Sequence, residues 1–234
     1  MQYVKIKDSI KEQIETGMLA PRQKLPSERK LAESFDTTRV TLREALALLE
    51  AEGSIYREDR RGWFISPQPL IYDLSTLASF TEVALTQERM AKTELLMSKT
   101  GLANKQAASL LKLPPFSDVY HLERVRYLEN RPVAFVTHYI RPELFPNLLD
   151  FDLSDSLSGI YRNHFGVHCH KVTYRIGVST LLGELALALR ATPGTQAMVI
   201  ERIKYDRNGT LIEGEIEYWR HDAISIQSQA VLDQ

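Results

Sequence analysis

The stretch Leu25-Pro26-Ser27-Glu28-Arg29-Lys30-Leu31-Ala32, followed by Thr38-Arg39-Val40-Thr41-Leu42-Arg43-Glu44-Ala45, decides the fold of the first part of this chain. Pro26 and Ser27 mark a helix start, because the Ser27 hydroxyl accepts a hydrogen bond from a free amide of the first turn. Leu31, Ala32 and Phe35 form one apolar face, and Asp36-Thr37 is polar and turn-prone. Thr38 then caps a second helix on which Val40, Ala45, Leu46 and Leu49 repeat at helical spacing. Two short helices joined by a tight turn are a helix-turn-helix.

Outward from this core, Tyr3, Ile6, Ile10 and Ile14 step by three and four residues and predict an amphipathic helix that backs the other two and stops near Gly17. After a third helix ending at Gly53, Ser54-Ile55-Tyr56-Arg57 and Trp63-Phe64-Ile65-Ser66 read as two short strands around Glu58-Asp59-Arg60-Arg61-Gly62, which makes the motif winged. Pro67 and Pro69 interrupt regular pairing, so residues 67–76 read as a linker between a first domain, 1–66, and a second, 77–234. In the second, strands are expected over 93–99, 119–128, 133–140, 168–178, 197–205 and 210–220, and helices over 102–111, 155–165 and 180–191. Glu129-Asn130-Arg131-Pro132 and Asp206-Arg207-Asn208-Gly209 would close antiparallel hairpins. The fold class is α+β.

The 234 residues carry 29 Lys+Arg against 30 Asp+Glu, so bulk charge names no partner. Residues 1–66 alone hold 12 basic and 11 acidic side chains. DNA affinity would therefore depend on placement, with the arginines of the motif and wing gathered on one surface. The lone cysteine, Cys169, excludes an internal disulfide, and no apolar run spans a bilayer. No signal-peptide core precedes the first helix, and a cytoplasmic location without membrane contact is expected. His168, Cys169 and His170 find no further ligand pair for a metal, and no phosphate loop, nucleophile elbow or triad appears. Neither cofactor, metal nor enzymatic activity is expected.

These words resemble the GntR superfamily of bacterial transcription regulators, and the second half resembles the UTRA effector domain of its HutC branch. The likeness rests on residues 24–29, 38–45 and 61–65 in the first domain. In the second it rests on Leu122-Glu123-Arg124-Val125-Arg126, on Ser156 opening a helix that ends near Phe165-Gly166, and on Glu217-Tyr218-Trp219-Arg220-His221-Asp222. It departs from the family at Ala20-Pro21-Arg22-Gln23, where a Pro-Gly-Asp type turn is usual. Residues 59–64 and 216–222 look most like regulators of phosphonate utilisation. The resemblance implies a winged helix joined to a chorismate-lyase-like antiparallel sheet with helices. It also implies a regulator, commonly a repressor, of double-stranded operator DNA. Paired half-sites are the usual target of a single helix-turn-helix, so a homodimer is expected.

Arg39 and Arg43 lie four apart at the start of the third helix, where guanidinium forks reach guanine edges or phosphates. The resemblance adds Arg29 from the second helix, Thr38 and Thr41 as phosphate donors, and Gly62, which lets the wing backbone enter the minor groove. Arg60 and Arg61 would strengthen binding without reading sequence. On the strand 120–128, period two puts Leu122, Arg124, Arg126 and Leu128 on one face. Two arginines in an apolar face need either internal ion pairs or an anionic ligand. The resemblance implies the latter, completed by Phe80-Thr81 and by Ser156 at a helix N-terminus. Glu213, Glu215, Glu217 and Trp219 share a face that is either solvated or turned to the effector. The family places Glu213 and Trp219 against the ligand, and Glu213 is then the partner for the amine of 2-aminoethylphosphonate. Sugar-phosphate sensors of the branch carry a glutamate where this chain has Val136. A sensor of sugar phosphates or histidine-pathway metabolites stays an alternative, as does a chorismate-lyase-like enzyme.

Overall fold

The computed structural model describes residues 1–229; the last five positions of the expected second domain, 230–234, lie outside the described residues. In chain order the elements are α1 Gln2–Glu15, α2 Glu28–Ser34, α3 Arg39–Ala51, β1 Ile55–Glu58, β2 Gly62–Ile65, β3 Leu70–Asp73, α4 Phe80–Thr86, β4 Ala91–Leu102 and α5 Lys105–Leu111. They continue with β5 Asp118–Leu128, β6 Arg131–Ile140, α6 Leu157–Phe165, β7 Lys171–Thr180, α7 Gly183–Ala188, β8 Gln196–Tyr205, β9 Leu211–Arg220 and β10 Ile224–Gln227. Two compact units result. One comprises Met1–Tyr72, Thr180–Gln196 and Arg220–Gln227; the other comprises Asp73–Ser179 and Ala197–Trp219 with residues 228–229.

In the first unit, Ser27 and Thr38 cap α2 and α3 by accepting from the backbone N–H groups of Lys30 and Thr41. Leu42, Ala45, Leu46 and Leu49 of α3 are fully buried against Ile6, Ile10, Leu31, Ile55 and Ile65. Truncating any one of these leucines would cost about 2–5 kcal/mol. Val40, expected on this face, is instead 69% exposed; Leu42 fills the inward position of the first turn. The third helix stops at Ala51, two residues before Gly53. The wing β1–β2 is antiparallel, with Tyr56 opposite Phe64 and their rings stacked at 5.4 Å. Within the expected linker a short strand forms after all: β3 follows Pro69 directly and pairs with β10, since the prolines flank the ladder rather than enter it.

The second unit is built on a six-stranded sheet of order β4-β5-β6-β9-β8-β7. The turn Glu129-Asn130 has positive φ at both residues, 46° and 63°, the geometry that a tight antiparallel hairpin requires. β6 is buried at every residue and β9 at all but Tyr218, so both central strands are covered on two faces. Helix α5 packs so closely on β9 that a Cβ at Gly214 would come within 3.1 Å of the Leu110 side chain. Helix α4 was absent from the sequence-based expectation, although Ser79 and Glu82 form a reciprocal capping box at its start. β4 is longer than expected and α7 shorter.

Candidate functional site

At the first unit's polar face, Arg29, Arg39, Arg43, Arg60, Arg61 and Gly62 line one groove with Lys24, Arg57 and Trp63. Glu28 organises it. Its carboxylate accepts from Arg43 Nε at 2.7 Å and from the Trp63 indole N–H at 3.2 Å, tying α3 to the wing. Burial alone would raise the Glu28 pKa, but the Arg43 and Trp63 donors hold it below the usual carboxylate range. Arg61 pairs with the buried Glu58, whereas the Arg60 side chain is 93% exposed at the wing tip. Gly62 has φ +100°, which explains a glycine where the wing turn enters β2. Thr38 and Thr41 Oγ1 atoms lie 3.0 Å apart.

The second unit encloses a cavity of about 160 Å³, smaller than the usual range for drug-sized ligands and suited to a small metabolite. Phe80, Thr81, Arg124, Arg126 and Ser156 all line it. Ser156 caps α6 by accepting from Gly159 N–H, and Leu157 and Ser158 of the first turn also border the cavity. Glu213 and Trp219 do not line it. Trp219 is fully buried, donates to Glu217 Oε2 at 2.5 Å and supports the Arg126 guanidinium from 5.9 Å.

The carboxylate row is buried rather than solvated, and it is fully occupied by internal cations. Arg126 donates to Glu217 at 2.7 Å and to Glu215 at 2.9 Å; Arg202 donates to Glu217 at 3.3 Å. Lys204 Nζ lies 2.9 Å from Glu213 and 2.9 Å from Glu215. Glu213 receives a second bond from His138 Nδ1 at 2.6 Å. His138 in turn accepts from Arg124 Nε at 3.0 Å, so its Nε2 carries the lone pair and its Nδ1 the proton. Burial first, then the Arg124 charge, lower its pKa to about 4, and the ring is neutral. Burial alone would raise Glu213, but Lys204 and His138 bring it down to about 2. Burial raises Glu217.

The balance is cationic. Arg124, Arg126, Arg202 and Lys204 gather with three carboxylates and a neutral imidazole, so this group of side chains carries a net positive charge in a low-dielectric setting. Arg124 Nη1 is spent on the Leu153 and Asp155 carbonyls, at 3.2 and 2.9 Å. Its Nη2 has no partner among the described residues, and the residue lines the cavity. Among the described residues, His138, Glu213 and Glu215 also form a cluster of metal-ligand type, with donor atoms within 4.8 Å of one another. The Lys204 ammonium supplies its cation. Sequence reasoning missed His138, Arg202 and Lys204, although Arg202 and Lys204 sit two apart on β8 just as Arg124 and Arg126 do on β5.

A winged helix-turn-helix joined in one chain to a second unit with a small, cation-rich cavity is the build of a DNA-binding regulator. Residues 2–65 match the gntR family of bacterial regulatory proteins, and residues 86–225 match the UTRA domain. The chain belongs to this GntR/UTRA family of transcriptional regulators. It is similar to the uncharacterized HTH-type transcriptional regulator YihL of Escherichia coli (strain K12), 30% identical over 223 residues that cover 94% of each chain. It is also similar to the HTH-type transcriptional repressor NagR of Bacillus subtilis (strain 168), 29% identical over 94% of this chain and 90% of the relative. PhnF from Mycobacterium smegmatis shares the fold, with TM-score 0.69 at 23% identity over 97% of this chain and all of that one. YihL and NagR are named transcriptional regulators, not enzymes.

Proposed function

We propose that residues 1–66 bind an operator half-site as part of a homodimer, that residues 67–76 connect them to the effector domain 77–234, and that a small anion bound there lowers operator affinity. The protein then acts as a repressor in the cytoplasm. Arg39 and Arg43 read base edges, with the exposed Val40 between them suited to a thymine methyl. Arg29, Thr38, Thr41, Arg60, Arg61 and the Gly62 backbone hold phosphates.

The effector is a phosphonate or a phosphate-bearing metabolite. One observation carries this reading: the four cations gathered at the cavity, with Arg124 held by the Leu153 and Asp155 carbonyls just before the N-terminus of α6. Phe80, Thr81, Arg126 and Ser156 complete the anion site, while Glu213 and Trp219 act from behind it by fixing Lys204 and Arg126. Thr93, Ser154, Ser158 and Tyr174, which carry hydroxyls and also line the cavity, favour a hydroxylated phosphate, such as a sugar phosphate, as the second reading. Calorimetry on the full chain with ethylphosphonate, inorganic phosphate and glucose 6-phosphate tests both. Binding of at least one supports the anion site; absence of binding by all three overturns it.

A further inference from the structure

The cavity carries its own ammonium group, Lys204, held by two buried carboxylates. Glu215 lines the cavity and Glu213 lies behind it; Lys204 Nζ donates to Glu213 Oε2 at 2.9 Å and forms an ion pair with Glu215 Oε2 at 2.9 Å. Their other oxygens are also taken: Glu213 Oε1 by His138 at 2.6 Å and Glu215 Oε1 by Arg126 at 2.9 Å. With His138 they form the one cation-holding cluster of this type among the described residues, and Lys204 projects into it from β8. An ammonium needs compact acceptors, whereas Lys204 still has a third N–H to offer the cavity that it lines. A cationic ligand would have to displace it and would meet Arg124, Arg126 and Arg202, which line the same cavity.

We propose that Lys204 is a specificity residue that occupies the amine subsite, so that the effector is a phosphorylated or phosphonylated compound without a cationic amine. This rests on the anion-site reading above and narrows it. Glu213 thereby loses the role that sequence likeness gave it, as partner of an aminoalkyl group. It holds the built-in ammonium instead.

The test compares ethylphosphonate with 2-aminoethylphosphonate, which differ by one amine, on the full chain by calorimetry. The wild type is expected to bind ethylphosphonate at least threefold more tightly. Lys204→Ala opens the subsite and is expected to move the ratio at least tenfold toward the aminophosphonate, while Lys204→Arg keeps the wild-type preference. A wild type that prefers the aminophosphonate tenfold, with a ratio unmoved by Lys204→Ala, overturns the proposal.

A second measurement needs no phosphonate. Ethylammonium chloride is expected to raise the thermal midpoint of Lys204→Ala, or to restore its folding if the variant is unfolded, by filling the vacated position. The wild type, and potassium chloride at equal concentration, should show no such effect. If neither phosphonate binds the wild type, the phosphonate reading falls and the amine rescue still decides Lys204; absence of rescue overturns the role of Lys204 whichever anion binds.

Discussion

His138 accepts the Nε–H of Arg124 at 3.0 Å, and this bond fixes the tautomer of a ring that is almost wholly excluded from solvent. An arginine N–H only donates, so the ring proton sits on Nδ1 and is committed to Glu213. A neutral histidine thus joins two halves of a charged network. Protonating it would place another positive charge beside Arg124.

Stability should therefore depend on His138 in mild acid. Its pKa falls from an ordinary 6.5 to about 4 on folding, so the unfolded chain takes up the proton first as pH drops. The contribution of this residue is complete above about pH 6.5, declines as pH falls, and is exhausted below about pH 4. Thermal melts of wild type and His138→Gln at pH 7.5 and 5 check this. The wild type should lose more of its melting temperature than the variant between the two, and parallel losses would remove His138 from the acid response.

Arg124→Ala should weaken binding of the anion at least tenfold, because it deletes a charge-assisted hydrogen bond worth about 1.5–3 kcal/mol. Operator binding without effector should persist. Calorimetry paired with a gel-shift titration reads both, and unchanged anion affinity would place the ligand away from Arg124.

Arg39→Ala should abolish specific operator binding without unfolding the protein, since a base-edge pair is worth about 1–3 kcal/mol and occurs twice in a dimer. A circular-dichroism melt and a gel-shift titration on DNA selected by the wild type are the measurements. Unaltered affinity would show that Arg39 is only a solvated surface arginine.

Arg60→Ala should weaken binding to every DNA alike and flatten its salt dependence by about one ion released per site. The side chain is almost wholly exposed to solvent and makes a loose pair with Asp59 at 3.7 Å. A loss confined to one base position would contradict a backbone role.

Arg220→Met should destabilise the first unit strongly. Arg220 is 1% exposed and donates to the Leu189 carbonyl at 3.0 Å and the Arg57 carbonyl at 2.9 Å. Methionine fills much of the volume but leaves buried acceptors without donors, at about 1–3 kcal/mol each. A melting temperature within a degree of wild type would show that these bonds are replaced by water.

The sequence by itself determined the local elements whose causes are local. Ser27, Thr38 and Ser156 cap helices because a hydroxyl before a helical run has free amides to serve, and Asn130 turns a hairpin because it tolerates positive φ. The winged helix was legible for the same reason, and period two already set Arg124 and Arg126 side by side on one face. Tertiary structure alone decided what those arginines meet. Glu213, Glu215 and Glu217 could be read as a solvated row or as one turned to an effector, but β9 lies in the middle of the sheet, between β6 and β8, and is covered on both faces. Lys204 and His138 are 66 positions apart in the chain and share one carboxylate because β8 and β6 flank β9. Strand order sets which charges share a low-dielectric interior, and no residue carries that order in its own neighbourhood. The difference between an open carboxylate that welcomes an amine and one already holding a lysine was therefore invisible until the sheet was assembled.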